Sequence, residues 1–149
     1  MEEQDGMLIR PSLELVIGVV VLAGLYYLGT VNHNLFHSLV ELLYAVVAAG
    51  IFMVAWNTRD ISNNTFLLVL GIAYLFIGGL DLVHALANEA MGVFPYAGAN
   101  LPMQLWIAAR YIEAVSILVA IYAIGRSSYP RATFAVYTVI TSLILAMIF

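Results

Sequence analysis

Five mostly apolar stretches of about twenty residues, each set off by a short polar break, constrain this chain more than any other feature. A helix rises about 1.5 Å per residue and the hydrocarbon layer of a bilayer is roughly 30 Å thick, so each stretch is long enough to cross once. Every backbone polar group inside a bilayer must be paired within the protein, and for single runs of this length that means a helix. Spans are expected near residues 12–31, 34–56, 65–87, 102–124 and 132–149. The breaks at 57–64 and 125–131 are rich in Asn, Ser, Gly and Arg, which is turn chemistry. The connection over 88–101 is mixed, with Phe94, Pro95 and Tyr96 suited to the headgroup level. The predicted fold class is all-α: a polytopic transmembrane helical bundle of about five spans, a single domain over residues 1–149.

Hydrophobic residues make up 64% of the chain and charged residues 9%, too little polar side chain to cover a water-soluble domain. The absence of cysteine excludes disulfides and thiolate metal sites. The chain has five arginines, no lysine and no basic cluster, which excludes a nucleic-acid footprint. The net charge of −4 owes most to an acidic tip of Glu2, Glu3 and Asp5. The first apolar run follows Pro11 without a strongly basic leader or a small-residue cleavage site, so it reads as a retained helix and not a signal peptide. Placing the N-terminus in the cytoplasm puts Arg10, Arg59, Arg126 and Arg131 on one side, as the excess of basic residues in cytoplasmic loops requires. A multi-pass membrane protein is expected.

Ionisable side chains inside a bilayer cost a few kcal/mol each, so each one needs a reason. The second span opens with His33, His37 and Glu41 at i, i+4 and i+8, along one face. The third closes with Asp81 and His84 at i, i+3, and the fourth carries Trp106, Arg110 and Glu113 at i, i+4, i+7. In the orientation above all of these fall in the outer half of the membrane. Glu41, Asp81 and Glu113 against Arg110 alone leave a deficit of two positive charges. Protonation of His37 and His84 closes it, as does a divalent metal ion on His37, Glu41 and His84, or two carboxyls kept neutral by burial. Against these stands an architectural reading, in which Arg110 merely pairs with Asp81 or Glu113 to hold helices together. His33 reads as a solvated helix end, Trp56 as an interfacial anchor, and Gly78–Gly79 as a place of close helix approach.

The strings F-H-S-L-V-E, G-I-A-Y-L-F…D-L-V-H and A-N-L-P-M-Q-L-W-I-A-A-R-Y-I-E resemble the third type of bacterial membrane-associated sensor domain (MASE), over roughly residues 33–124. The W-I-A-A-R-Y block is the most specific part. The resemblance implies a sensory input domain that relays a signal to a cytoplasmic output module: a PAS, a diguanylate cyclase (GGDEF) or a histidine kinase module. Such a role belongs to cyclic di-GMP or two-component signalling. Position by position it points to His37, Glu41, Asp81, His84, Trp106, Arg110 and Glu113 as ligand-binding residues, the set that spacing singles out independently. Members usually carry more helices and an effector, so the chain reads as a piece of a longer receptor or a naturally short relative. Receptors of this kind commonly form homodimers. No catalytic motif is present: no G-x-S-x-G, no phosphate-binding glycine loop, no cysteine–histidine pair. Two rival functions use the same residues. One is a haem-bearing redox sensor or electron carrier with His37 and His84 as axial ligands. The other is a proton or cation transporter, against which stands the lack of ionisable residues in the inner half.

Overall fold

The computed structural model describes residues 2–95, 98, 100–127 and 129–149, with side chains from Leu13 onward apart from Ala90. The side chains of Glu2, Glu3, Asp5, Arg10 and Pro11, and all of Tyr96, lie outside that description. The chain forms α1 (Glu2–Val31), α2 (His33–Ser62), α3 (Thr65–Leu86), a 3₁₀ turn at Glu89–Met91, α4 (Asn100–Tyr122) and α5 (Pro130–Ile148). No strand occurs among the described residues. All five α-helices contain a stretch long and apolar enough to cross a membrane, so the expected all-α transmembrane architecture is what the chain adopts.

The end of α2 differs from expectation for a local reason. The polar run after Trp56 does not break α2, because Asn57 Nδ2 donates to Met53 O at 2.7 Å and Thr58 Oγ1 to Val54 O at 2.8 Å. Side chains bonded back onto the preceding turn satisfy themselves without unwinding the helix. The break comes instead at Asn63, which takes the left-handed conformation (φ 45°), and at Asn64, whose side chain caps α3 by accepting from Leu67 N at 3.0 Å. The α4–α5 connection turns at Gly125 (φ 73°), and Thr65 Oγ1 donates to Arg126 O at 2.7 Å, fastening that connection to the start of α3. Pro130 opens α5, where its missing N–H costs nothing.

The chain divides into two compact units, Met1–Leu39 and Val40–Phe149. The first holds α1 and the opening turns of α2. Asn32 joins them: its N–H donates to Leu28 O at 2.8 Å while its side chain accepts from Leu35 N at 3.0 Å, closing one helix and capping the next. The His33 and His37 rings stack with centroids 6.4 Å apart.

In the second unit α3 is the central helix. Apart from the face that carries Tyr74, Asp81 and His84 it is apolar all round, as a buried helix is expected to be. Ile72, Ala73, Ile77 and Leu80 are fully buried and pack with Leu105 and Ala109 of α4 and Tyr137 of α5. The length of α2 from Val40 onward approaches α3 through small residues. A Cβ at Gly71 would overlap that of Ala55, and one at Gly78 would lie 2.8 Å from that of Ala48. Van der Waals packing of small residues is the main force between helices in lipid, where burial from water is already complete. Gly79 faces open space, so of the expected Gly78–Gly79 pair only Gly78 serves the close approach. Towards the other end of the unit Phe52, Trp56, Phe76, Phe134 and Tyr137 form an aromatic cluster with ring centroids 5.2–6.4 Å apart. Tyr137 Oη donates to Ser116 Oγ at 2.7 Å, pinning α5 to α4.

Candidate functional site

Within the second unit the polar residues of α2, α3 and α4 converge on Arg110. Its Nη2 donates to Asp81 Oδ2 at 2.5 Å and its Nη1 to Glu113 Oε2 at 2.7 Å, so one guanidinium bridges two carboxylates from different helices. The guanidinium carbon also stands 5.1 Å from the centroid of the Tyr44 ring, a cation–π distance. Glu113 Oε1 accepts two further bonds, from Tyr74 Oη at 3.0 Å and Tyr44 Oη at 3.3 Å. Its carboxylate therefore has three donors from three helices. Two charge-assisted bonds occupy both Nη atoms of Arg110.

Asp81 is fully buried, and its second oxygen, Oδ1, has no hydrogen-bond partner among the described residues. One turn on, His84 is also buried, and its Nδ1 lies 2.7 Å from the carbonyl oxygen of Pro102 in the first turn of α4. A carbonyl can only accept, so Nδ1 carries the hydrogen, and in the neutral ring the lone pair sits on Nε2. A ligating nitrogen of His84 and a carboxylate oxygen of half-buried Glu41 come within 4.8 Å of one another. His37 stands one turn before Glu41 on the same helix, in the first unit.

Asp81, His84, Arg110, Glu113 and Glu41 thus belong to one polar column in the second unit. Trp106 does not join it: its side chain is 47% exposed. The buried face of α4 runs through Leu101, Leu105, Ala109 and Ile112, and position 106 is rotated about 100° from position 105. The column also runs deeper than a single outer layer. Asp81 and His84 lie near the end of α3, whereas Arg110, Glu113 and Tyr74 sit near the middle of their helices.

Sequence reasoning missed Tyr44 and Tyr74. The signal was present, since Tyr44 lies seven residues after His37 and Tyr74 seven before Asp81, each on the polar face of its helix. Trp56 is more than an interfacial anchor, because it packs in the aromatic cluster with Arg59 stacked 4.5 Å above its ring.

Three carboxylates face one guanidinium and an imidazole with a fixed tautomer, in a medium where unbalanced charge is expensive. Residues 28–149 match the family model described as a membrane-associated sensor domain (MASE3), a span that includes every residue of the column. No curated protein and no solved structure matches the chain. A family match over most of the chain and five membrane-spanning helices lead to one assignment: the chain belongs to the MASE3 membrane-associated sensor domains, as a multi-pass protein of the inner membrane.

Proposed function

We propose that this sensory domain detects a divalent metal ion at Glu41 and His84, and that occupancy of that site is relayed to a cytoplasmic output module. The observation that carries the reading is the imidazole of His84. Its Nδ1–H is committed to the Pro102 carbonyl at 2.7 Å, which leaves the lone pair on Nε2, and a ligating atom of this ring lies within 4.8 Å of a Glu41 carboxylate oxygen. A ligating histidine ordinarily holds its second nitrogen on a carbonyl or carboxylate in this way, which fixes the tautomer and raises the basicity of the ligand. An imidazole with a carboxylate suits Zn²⁺. The ion supplies the two positive charges that Glu41, Asp81 and Glu113 together lack against Arg110. Asp81, with an oxygen that no donor among the described residues reaches, adds to the pull on a cation.

Arg110, Glu113, Tyr44 and Tyr74 form the fixed part of the mechanism. They hold α2, α3 and α4 in one packing, and a stimulus shifts the bundle by favouring one packing over another. The end of the bundle that carries Arg59, Arg126 and Arg131 faces the cytoplasm in this reading, and the metal site opens to the outside. The receptor works as a homodimer, with a GGDEF, PAS or histidine kinase module as its output.

Calorimetric titration of the purified domain with Zn²⁺ is the test. One site per chain is expected, with binding at least ten-fold weaker in His84→Ala and in Glu41→Gln. Unchanged Zn²⁺ affinity in His84→Ala would sink the assignment. An absorption spectrum of the same preparation checks the haem alternative, because a Soret band would replace the metal reading with that one.

A further inference from the structure

At the end of the second unit away from the polar column, two adjoining hollows share Trp56 and Arg131. One, about 560 Å³, is lined by Trp56, Arg59, Asp60, Tyr129 and Arg131, at the end of α2 and the start of α5. The other, about 520 Å³, follows the lipid-facing side of α5 along Phe134, Ala135, Thr138 and Val139. The first is cationic and polar, and the second is almost wholly apolar. Thr138 and Val139 lie two turns further along α5 than Arg131, about 10 Å towards the middle of the helix.

From this juxtaposition we infer that the groove binds one anionic phospholipid, its phosphate between Arg59 and Arg131 and an acyl chain along Phe134, Ala135 and Thr138. Charge and shape both select this occupant. Arg59 and Arg131 against Asp60 leave the first hollow with a net charge of +1, which one phosphodiester neutralises. Asp60 lies 3.4 Å from Arg59 but its side chain is 77% exposed, so water screens that pair. Arg59 is held in place from within: its Nη1 donates to Trp56 O at 2.5 Å and its guanidinium stacks on the Trp56 ring at 4.5 Å. Arg131 is exposed and makes no ion pair among the described residues. A pre-positioned arginine beside one without an ion pair among the described residues, next to a tryptophan and a tyrosine, is the chemistry of a headgroup site. Basic pockets between spans on the cytoplasmic side hold anionic headgroups in just this manner. A soluble phosphate would use the first hollow alone and leave the apolar groove unexplained. A lipid uses both, because its charged and apolar parts are joined at the same spacing as the two hollows.

The two tryptophans provide the test. With Trp106→Phe, Trp56 is the sole indole and sits where headgroup and acyl chain meet. The domain is reconstituted in phosphatidylcholine vesicles containing brominated phosphatidylglycerol or, separately, the same fraction of brominated phosphatidylcholine. At equal mole fraction the anionic lipid is expected to quench Trp56 with about five-fold higher apparent affinity per arginine engaged. The preference should vanish in Arg59→Gln/Arg131→Gln, and inorganic phosphate should not compete. Ala135→Trp carried on a Trp56→Phe background places a bulky side chain in the groove. It is expected to weaken retention of phosphatidylglycerol in native mass spectra while both arginines remain. Equal quenching by the two lipids, or a preference that survives loss of both arginines, overturns the inference. Competition by free phosphate assigns the cationic hollow to a soluble anion and overturns it too.

Discussion

Glu113 is the residue that decides how the centre of this bundle is held. Two phenols and a guanidinium converge on one carboxylate, and each comes from a residue whose alternative is to face lipid unpaired. Tyr74→Phe is expected to lower stability in detergent by about 1 kcal/mol, the upper range for one interhelical hydrogen bond in a membrane protein. Arg110→Met should cost about 3 kcal/mol, because it strands Asp81 without its cation. Adding Asp81→Leu to that variant should restore part of the loss; a further drop would show that the pair does more than cancel charge. Denaturant unfolding followed by circular dichroism measures all three. The acids, His84 and Arg110 were legible in the sequence because ionisable residues stand out in apolar helices. The tyrosines were not, because a membrane tyrosine is unremarkable until its hydroxyl is seen to have a carboxylate beside it. Trp106 stands one turn before Arg110 but is 47% exposed, and spacing alone does not tell how far a side chain turns from the column.

At the scale of the helices, number and order could be read directly, since a span of given length leaves little freedom. Ends and contacts could not. The polar run after Trp56 has the composition of a turn, yet its Asn57 and Thr58 bond back to the helix and carry α2 on to Ser62. Glycine content pointed to close approach near Gly78 but not at Gly71, because which glycine meets a neighbour depends on the crossing of two helices. That difference is measurable. Gly71→Ala is expected to destabilise by about 1–3 kcal/mol through the overlap with Ala55, and Ala55→Gly should rescue it. Gly79→Ala, with open space around its Cβ, should change stability by less than about 0.5 kcal/mol.

For the molecule as a whole, the arginines predict which end faces the cytoplasm, and the lack of cysteine makes the prediction easy to check. Asn63→Cys and Ser127→Cys are expected to resist a membrane-impermeant thiol reagent on intact cells and to react once the membrane is opened. Asn32→Cys and Gly98→Cys should react from outside. The reverse pattern would place the metal site in the cytoplasm and the arginine-rich end outside, where anionic lipid is scarce. An orientation of this kind can be proposed from a sequence because it depends on counts of charge in loops. The wiring of the polar column is not, because it depends on angles between helices.

The bond from His84 to Pro102 ties the last turn of one helix directly to the first turn of the next in the chain, past the whole connection between them. The imidazole is a rigid plate with a nitrogen on either side. Whatever grips its far side pulls, through the plate, on the carbonyl at the head of α4. About two turns below that carbonyl sits Arg110 with its two carboxylates. A tug of a few tenths of an ångström at the rim of the bundle therefore has a stiff linkage to its middle, with no need for the intervening loop to move at all.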